Sequence, residues 1–328
     1  MTIWRRPADI DPNLDGSIVT IGVFDGVHRG HRAIISETVR QAKARGLTSI
    51  VLTFDPHPSN VHRPENRDEL IMPVEDRLNQ IEALGVDVIY VQHYTLDYAQ
   101  ATALEFVENQ IVGDLKAKGI VVGEDVRFGH SNVGNGDFLI EHAARLGYTV
   151  TLMPDLGSGR RRWSSTLVRE QLAEGDVAAV QQVLGRLHRL RGTVVHGHRR
   201  GRELGFPTAN LEAEGVGSVP ADGVYAGWLI RSVPGTNAHE YLPAAISVGT
   251  NPQFDGQRRT VEAHVLGRAD LDLYGEDVAI DFVSFIRPMA SFDSIDELLE
   301  QMDEDLRVTA ATLGVPVSTR VNPADVTA

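Results

Sequence analysis

The 328-residue sequence contains no cysteine, which excludes disulfide bonds, thiolate zinc sites and cysteine nucleophiles. It also lacks any run of about 18 to 20 apolar residues, the length that a membrane-spanning helix needs. The first twelve residues are polar and carry no apolar segment of the kind found in a signal peptide. These absences predict a soluble protein of the cytoplasm.

Basic residues are scarce relative to acidic ones. There are 31 Lys and Arg against 45 Asp and Glu, which gives a formal net charge of −14 at pH 7. That balance disfavours a broad electrostatic surface for nucleic acid or for a membrane. We therefore expect small-molecule partners, with no nucleic acid and no membrane among them. The sequence alone does not set the oligomeric state.

What is present indicates two domains, as the length also suggests. Up to residue 185, apolar strand segments alternate with amphipathic helical segments, which is typical of a doubly wound, Rossmann-like parallel α/β sheet. From residue 186, short strands separated by turn residues favour an antiparallel β-barrel with a terminal helix, followed by a mobile tail from Pro316. We expect domains over residues 1–185 and 186–328.

Local patterns predict some of the elements in more detail. Gly46 is placed as the C-cap of the first helix, and Thr102 and Ser294 each begin a capping-box pattern. The strands of the barrel are predicted at residues 190–195, 223–230, 242–248, 260–266 and 277–283.

Residues 20–31, TIGVFDGVHRGH, join an apolar strand to an amphipathic helix through a turn that glycines such as Gly22 and Gly30 relieve. The turn delivers His28 and His31, which would share a helix face, to a helix N-terminus that favours an anion. A histidine that donates to a phosphoryl oxygen stabilises charge that grows during adenylyl transfer. The pattern therefore indicates a nucleotidyl-transfer site, with two solvated histidines near a turn as the alternative.

The stretch resembles the G-x-F-D-G-x-H-x-G-H signature of the bifunctional bacterial riboflavin kinase/FMN adenylyltransferase (FAD synthetase) family. This resemblance implies that His28 and His31 are catalytic in adenylyl transfer. It also places Gly22, Phe24 and Gly30 in the site that binds the nucleotide.

A second loop follows the predicted strand 49–54, at the edge where open α/β sheets bind ligands. The residues TFDPHP at 53–58 resemble a family segment, which implies that Pro56, His57 and Pro58 line the flavin or nucleotide site. For His57 the alternative is a surface turn residue.

A third loop, VVGEDVRFG at residues 121–129, resembles the family element V-G-x-(D/N)-F-x-F-G. The resemblance implies that Asp125 belongs to the nucleotide site and Phe128 to the flavin side of it, although Val126 stands where phenylalanine is usual. An aspartate that only orders its own loop through local hydrogen bonds is the alternative for Asp125.

The segment RRRWSSTLVR at residues 160–169 begins with three arginines that we interpret as a solvated flap. Its hydroxyl residues precede a predicted helix over 167–173, so they are placed to cap that helix and to bind a phosphate at the same end. Arg169 offers a fork-shaped donor to the same anion. The hydroxyl residues are Ser164, Ser165 and Thr166.

Capping alone is the alternative role for these hydroxyl groups. The segment resembles the family motif I-S-S-T-x-(I/V)-R, with Trp163 in place of isoleucine. That motif implies that the three hydroxyl residues and Arg169 bind the leaving pyrophosphate.

The predicted barrel contains a loop rich in arginine and glycine, residues 197–205, which leads into FPTAN at 206–210. It lacks the G-x-x-x-x-G-K-(S/T) pattern of a P-loop. Glycine N–H groups, a hydroxyl and an amide two residues apart, and several arginines are nevertheless groups that hold phosphates and a hydrated Mg²⁺. The arginines are Arg199, Arg200 and Arg202.

Residues 201–210, GRELGFPTAN, resemble the flavokinase signature G-R-x-L-G-F-P-T-A-N. The resemblance implies that Thr208 and Asn210 organise Mg²⁺ and the phosphates of ATP, with Gly205 in the same nucleotide site. Arg287 also matches a flavokinase arginine and is assigned to the flavin site.

The strand TVEAHV at residues 260–265 alternates, so Glu262 and His264 share one face, opposite an apolar face. A solvated glutamate is the ordinary outcome of such a pattern. The resemblance to the family motif (S/T)-V-E implies instead that Glu262 is the general base of a kinase. Two positions depart from the family: His264 replaces a usual aromatic residue, and Gly267 stands where an acidic residue is common.

These observations predict a bifunctional enzyme of flavin cofactor biosynthesis. One domain would phosphorylate riboflavin to FMN with ATP, and the other would transfer AMP from a second ATP to FMN, giving FAD and pyrophosphate, with Mg²⁺ as the cofactor. Two alternatives remain: a monofunctional enzyme with one degenerate active site, and a flavin-binding carrier or regulator without catalysis. A tRNA-linked adenylation is disfavoured by the net charge of −14.

Overall fold

The computed structural model describes residues 1–159, 161–196, 204–211, 216–233, 235–236, 238–250 and 259–322. The loop arginines Arg199, Arg200 and Arg202 lie outside these residues, as does Arg160. The chain forms two compact units, Met1–Ser165 and Thr166–Ala328. In the part of the chain that is described, no helix is long and apolar enough to cross a membrane.

The first unit is built on a parallel sheet whose described strands, six in number, have the order β1-β4-β3-β2-β5-β6. These strands are β1 Thr2–Trp4, β2 Ser17–Ile21, β3 Thr48–Asp55, β4 Val88–His93, β5 Ala117–Gly123 and β6 Thr149–Met153. Successive side chains of β2 enter different apolar cores, with Val19 in one and Ile18 in another. Both faces of the sheet are therefore covered, which confirms the predicted doubly wound fold.

Helices supply the cover on both faces. In the first unit they are α1 Arg29–Arg45, α2 Pro58–His62, α3 Val74–Glu82, α4 Ala103–Glu105 and α5 Gly136–Leu146, with short 3-10 turns at Pro7–Asp9, Tyr98–Gln100 and His130–Asn132. α1 ends where Gly46 takes a left-handed conformation with φ of 64°, as its predicted C-cap position requires.

The strand β1 was not predicted. It pairs in parallel with β4, where Thr2 lies opposite Val88. Trp4 is the one buried residue of its three, so the segment carries no apolar alternation that sequence analysis could detect.

The predicted capping box at Thr102 is present. Its hydroxyl accepts the N–H of Glu105 at 3.2 Å, and the Glu105 carboxylate accepts the N–H of Thr102 at 2.9 Å. After α4 the chain continues as a π-helix, Phe106–Asp114. Such segments are rare in proteins, and those that occur often lie near functional sites.

The second unit contains a closed antiparallel barrel whose six described strands have the order β10-β13-β12-β11-β14-β9. The strands are β9 His188–Val195, β10 Ala209–Leu211, β11 Gly223–Ser232, β12 His239–Thr250, β13 Arg259–Val265 and β14 Asp277–Arg287. Five of them confirm predicted strands. The sixth, β10, lies inside the FPTAN segment and closes the barrel by pairing with both β9 and β13.

Three helices are described from Ser165 onward. They are α6 Ser165–Ala173, α7 Val177–Leu184 and α8 Ile295–Leu313. The end of α6 is tied to the barrel unit, because the Ala221 N–H donates to the Leu172 carbonyl at 2.8 Å. α7 lies in the same compact unit as the barrel. The domain boundary at residue 185 stays a prediction.

The start of α8 has half of the predicted capping box. The Ser294 hydroxyl accepts the N–H of Glu297 at 3.2 Å. The Glu297 carboxylate accepts the N–H of Asp293, also at 3.2 Å, rather than that of Ser294. The helix begins where predicted, with a different reciprocal partner.

The tail after α8 contacts the barrel loop at Gly205, and its predicted mobility stays a prediction. The Val321 N–H donates to the Gly205 carbonyl at 3.1 Å. Gly205 has φ of 84°, and a Cβ added there would collide with the Val321 carbonyl oxygen. The absence of a side chain at Gly205 is what allows the tail to approach.

Candidate active sites

The paired histidines lie where β2 passes into α1. His28 is the N-cap residue of α1, and the His31 N–H donates to its Nδ1 at 3.3 Å. Because this nitrogen accepts, the proton of a neutral His28 imidazole is on Nε2, which is then a donor. The two rings stack with centroids 3.6 Å apart. The pair therefore forms through capping and stacking and not by sharing a helix face.

The environment of His31 keeps its ring neutral near pH 7. Burial is the main cause that holds the pKa of His31 well below its usual value, and nearby His28, Arg162 and Arg77 lower it further. The edge of the ring contacts Phe24, with centroids 5.2 Å apart. A neutral imidazole still has one N–H donor, and a bound phosphate would raise its pKa.

Only one of the three motif glycines serves the backbone. Gly26 has φ of 78°, a conformation that favours glycine. Gly22 and Gly30 provide space instead, since an added Cβ would lie 2.8 Å from the ring of Phe24 and 3.0 Å from Cε1 of His28, respectively. Gly22 and Gly30 thus leave room for the rings of Phe24 and His28 beside the backbone. Of the three glycines, Gly26 is the one whose backbone conformation relieves the turn, as expected.

A cavity of about 360 Å³ opens beside His31 at the carboxyl ends of β2 to β5. This is the edge at which parallel sheets bind ligands. The predicted site residues that line it are Gly22, Phe24, His31, Pro58, Asp125 and Phe128. Signature elements far apart in the sequence therefore share one cavity.

Aromatic side chains form one wall of this cavity. Phe54, Tyr94 and Tyr98 contact one another with ring centroids 5.6 to 6.3 Å apart. Phe106, from the π-helix, lies 5.5 Å from Phe128. Burial raises the pKa of Tyr98, so its hydroxyl stays protonated. Of these rings only Phe128 was predicted, because the others carry no signal until the loops converge.

The loop after β3 reaches the cavity in part. Pro58 lines it, whereas Pro56 and His57 are not among the described residues that do so. His57 is the N-cap of α2, and its Nδ1 accepts the Ser59 N–H at 3.2 Å. A flavin role for Pro56 and His57 stays a prediction.

Arg162 is exposed, as expected of a solvated flap residue, but it also forms ion pairs that were not predicted. It lies in the two-residue strand β8, Arg161–Arg162, which pairs with β7, Gly157–Ser158. Its guanidinium lies 2.6 Å from the Asp125 carboxylate and 3.1 Å from that of Asp155. Arg162 therefore forms an ion pair with Asp125, the cavity residue that is predicted to belong to the nucleotide site.

The hydroxyl segment contacts the histidine motif through Ser165. The Ser165 hydroxyl donates to the Asp25 carbonyl at 2.8 Å. α6 begins at Ser165, so this residue and Thr166 lie in its first turn and not before it. Thr166 and Arg169 belong to the second compact unit. The role of these residues and of Ser164 in binding pyrophosphate stays a prediction.

Two arginines beside this site were not predicted. Arg77 of α3 is 3% exposed and donates to the carbonyls of Val23 at 3.0 Å and Phe54 at 2.8 Å, which ties the ends of β2 and β3 together. Arg29 lies over the Trp163 ring, 5.3 Å from its centroid. Only the position of Arg77 beside the apolar stripe of α3 hinted at its burial.

The second site lies on barrel strands β10 and β13. Asn210 is opposite Glu262 in the ladder. The Thr208 hydroxyl donates to Glu262 Oε2 at 3.3 Å and accepts from Asn210 Nδ2 at 3.3 Å. The structure thus links the three side chains that were predicted from separate motifs.

The alternation of β13 is confirmed. Val261, Ala263 and Val265 are buried in the barrel, while Glu262 is half-buried and His264 is buried on the other face. Both of these residues line a cavity of about 280 Å³.

Further predicted residues line this second cavity. Thr208 and Arg287 do so, and α8 contributes a wall that was not predicted. The residues of α8 are Leu298, Met302, Asp305 and Leu306. Gly205 is not among the described residues of the lining and instead contacts the tail.

The guanidinium of Arg287 is held by α8. It forms a two-pronged ion pair with Asp305, with nitrogen–oxygen distances of 2.8 and 2.7 Å. The Asp305 residue is only 4% exposed. Arg287 therefore fastens α8 to the barrel at the cavity, and its flavin role stays a prediction.

Comparison with known proteins decides the family. The FAD synthetase family matches residues 10–167, and the riboflavin kinase family matches residues 184–313. A Listeria monocytogenes protein named bifunctional riboflavin kinase/FMN adenylyltransferase is 33% identical over 296 residues, which cover 90% of this chain and 91% of that protein. The chain belongs to the bifunctional riboflavin kinase/FMN adenylyltransferase family.

A second relative carries the name of this family, and a solved structure has the same fold. A protein of the same name from Escherichia coli is 34% identical over 293 residues, 89% of this chain and 91% of that protein. A crystal structure from Streptococcus pneumoniae, titled a macrolide-efflux protein, has a TM-score of 0.83 and 31% identity, and covers 94% of this chain and 98% of that one. The predicted family and fold are confirmed, and both enzymatic domains of the family are present.

Four departures from the usual family residues occupy defined places. Val126 lines the first cavity, and Trp163 accepts the cation–π contact. His264 lines the second cavity. Gly267 has φ of 68°, and an added Cβ would lie 3.1 Å from Cβ of Ser318 in the tail. The predicted catalytic groups of both domains remain in place beside these departures.

Proposed function

We propose that the barrel unit phosphorylates riboflavin to FMN with ATP, and that the sheet unit transfers AMP from ATP to FMN, giving FAD and pyrophosphate. The observation that carries the proposal is that each family signature supplies residues to a cavity of its own. His31 and Asp125 line one cavity, and Thr208 and Glu262 line the other. A flavin carrier would need neither the histidine pair nor a base.

In adenylyl transfer the phosphate of FMN is already a nucleophile, so no general base is required. Negative charge grows on the α-phosphate as pyrophosphate leaves, and donors placed there lower the barrier. His28 supplies its Nε2–H, and neutral His31 supplies a second donor at the N-terminus of α1. We assign Ser164, Ser165, Thr166 and Arg169 to the leaving pyrophosphate.

The cavity of the sheet unit also has parts suited to each substrate. We assign the flavin ring system to the aromatic wall, since stacked and edge-on rings favour a large planar group. We assign the nucleotide to the side that carries the histidines. The flavin residues are Pro56, His57, Pro58 and Phe128, and the nucleotide residues are Gly22, Phe24, Gly30 and Asp125.

In the kinase reaction Glu262 accepts the proton of the primary hydroxyl of riboflavin as that oxygen attacks the γ-phosphate. Its carboxylate already accepts a hydrogen bond from Thr208, which marks it as an acceptor inside the cavity. Such a base typically contributes about 10²–10⁴ in rate. Arg287 is assigned to the flavin, and Gly205 to the nucleotide.

The donor set around Glu262 fits Mg²⁺. Thr208 and Asn210 would hold the ion through hydroxyl and amide oxygens, the hard ligands that it prefers. Among the described residues no group of three His, Cys, Asp or Glu could hold a metal ion. In this proposal phosphate oxygens and water supply the remaining ligands. When bound, Mg²⁺ neutralises charge on the transferred phosphoryl group.

The proposal includes a cytoplasmic location, since both reactions consume ATP. It also includes riboflavin, FMN and ATP as partners, without nucleic acid or a membrane.

The test is to incubate the purified full chain with riboflavin, ATP and Mg²⁺ and to separate the flavins by chromatography over time. We expect FMN to appear first and then to give way to FAD. Accumulation of FMN alone would contradict the adenylyl-transfer site. Unchanged riboflavin, together with unchanged FMN when FMN is supplied, would overturn the enzyme in favour of a carrier.

A further inference from the structure

The Thr208 hydroxyl lies just outside the barrel ladder. β10 begins at Ala209, whose partner in β13 is Ala263. The ladder therefore stops one residue short of Thr208, and backbone pairing does not hold its peptide. Two side chains of β13 reach this segment instead, one on either side of Ala263.

The first of these contacts is the carboxylate of Glu262, which accepts the Thr208 hydroxyl at 3.3 Å. The second is the imidazole of His264, whose Nδ1 lies 2.8 Å from the carbonyl oxygen of Pro207. A carbonyl oxygen can only accept, so this Nδ1 carries a proton and donates. His264 thus holds the peptide that joins Pro207 to Thr208 through a hydrogen bond to the carbonyl oxygen of that peptide.

The other ring nitrogen of His264 makes no such contact. Its Nε2 is buried and has no hydrogen-bond partner among the described residues. Burial also lowers the pKa of His264, so the ring is neutral and Nε2 is an acceptor left unpaired. A buried polar atom without a partner costs stability. A side chain that served packing alone, for example against Phe206 with ring centroids 5.4 Å apart, would avoid that cost.

We propose that His264 is a positioning residue of the kinase site: its Nδ1–H fixes the Pro207 carbonyl and thereby sets the Thr208 hydroxyl for the phosphates of Mg²⁺-bound ATP. This inference rests on the proposed kinase function. The His264 ring is not assigned a contact with a reacting atom. Its effect is exerted through the peptide that carries Thr208.

The test compares variants of the full chain that differ at position 264 only in the donor. His264→Asn keeps an N–H in the place of Nδ1, whereas His264→Leu has nearly the same branched shape and no donor. We expect His264→Leu to raise the KM for MgATP about two- to tenfold, the range that one hydrogen bond accounts for. His264→Asn should stay within about twofold of the native chain, and the KM for riboflavin should not change in either variant.

His264→Phe provides a further donorless variant that retains a ring beside Phe206, and it should behave as His264→Leu does. FAD formation from supplied FMN serves as the internal control, because that activity belongs to the other unit. Equal KM values for MgATP in the Asn and Leu variants would overturn the role of His264, as would a native value in either donorless variant. A native chain that forms no FMN would overturn the kinase function itself.

Discussion

The two candidate sites are built in architecturally different ways. In the sheet unit the cavity lies at the carboxyl ends of buried parallel strands, and loops and helix ends that follow those strands supply most of its lining. In the barrel unit the candidate base stands on a strand, where Glu262 is opposite Asn210 in the ladder. Residues in a loop site can be substituted with little effect on the sheet beneath them. Residues on a barrel strand belong to the same backbone that forms the barrel.

The consequence concerns what each site depends on. The histidine pair depends on a helix end, because His28 caps α1 through the same ring that is proposed to donate to phosphate. Glu262 depends on strand register, because a one-residue shift of β13 would turn it into the barrel core. Different substitutions are therefore needed in the two units to distinguish a loss of activity from a loss of stability.

The largest effect is expected from Glu262→Gln. The substitution keeps the shape and an oxygen that accepts from Thr208, but it removes the proton acceptor. FMN formation from riboflavin should fall by about 10²–10⁴. Adenylylation of supplied FMN should be unchanged, as should the unfolding midpoint. Native kinase turnover in this variant would remove Glu262 from the mechanism.

A pair of substitutions at His28 should divide capping from catalysis. His28→Asn keeps a side chain that caps helices well and loses the Nε2 donor, so FAD formation should fall by about 10²–10³ at native stability. His28→Ala should lose the same activity and, in addition, about 0.5–2 kcal/mol of stability. Both variants should form FMN at the native rate. An active His28→Asn enzyme would show that the cap alone matters.

The barrel has a buried histidine outside its cavity, which predicts a pH dependence of stability. Burial lowers the pKa of His188 to about 4, and its Nε2 lies 2.8 Å from the Ser218 carbonyl. The unfolded chain binds this proton near pH 6.5, so the contribution is complete above that pH and is lost as the pH falls toward 4. The loss amounts to about 3 kcal/mol.

The measurement is chemical denaturation of the full chain between pH 4 and pH 7. His188→Gln keeps a donor for the Ser218 carbonyl and does not titrate, so its stability should fall less steeply with decreasing pH. His31 acts in the same direction in the sheet unit, since its pKa is also lowered. Identical pH slopes for native chain and variant would exclude His188 as the cause.

The smallest effect is expected from Gly30→Ala. Gly30 is needed for the space that it leaves beside the His28 ring and not for an unusual backbone conformation. An added Cβ would lie 3.0 Å from Cε1 of His28, so Gly30→Ala should displace that ring and reduce adenylyl transfer about tenfold. Stability should stay close to native, because the preference for alanine over glycine within a helix, about 0.5–1 kcal/mol, offsets the weakening of the His28 cap. Gly46→Ala is the matched control: its φ is 64° and no atom lies within 4 Å of the added Cβ.

That control should lose stability and keep activity, the reverse of Gly30→Ala. A Gly30→Ala enzyme with native FAD formation would show that the ring position of His28 is not limiting.

Features encoded in short stretches were predictable. The alternation of strands and helices, the Gly46 cap and the Thr102 capping box each depend on residues a few positions apart. The same holds for the face of β13 that presents Glu262. Local periodicity and turn chemistry act within one element, so they can be read before the fold is known.

Features that depend on distant partners were not predictable. The ion pair between Arg162 and Asp125 was not predicted, because the two residues lie 37 positions apart in the sequence. β10 has three residues and becomes a strand only because β9 and β13 flank it. Short segments carry too little local preference to reveal such pairing.

By itself, the sequence determined the two fold classes, the family and the candidate residues of two sites, because these reside in contiguous motifs. Only the tertiary structure decided that His28 and His31 stack, that an aromatic wall faces them, and that α8 closes the kinase cavity. The physical reason is that rings, caps and buried ion pairs acquire their partners when loops from separate strands meet. The sequence sets which residues each loop contains, and tertiary packing sets which residues they contact.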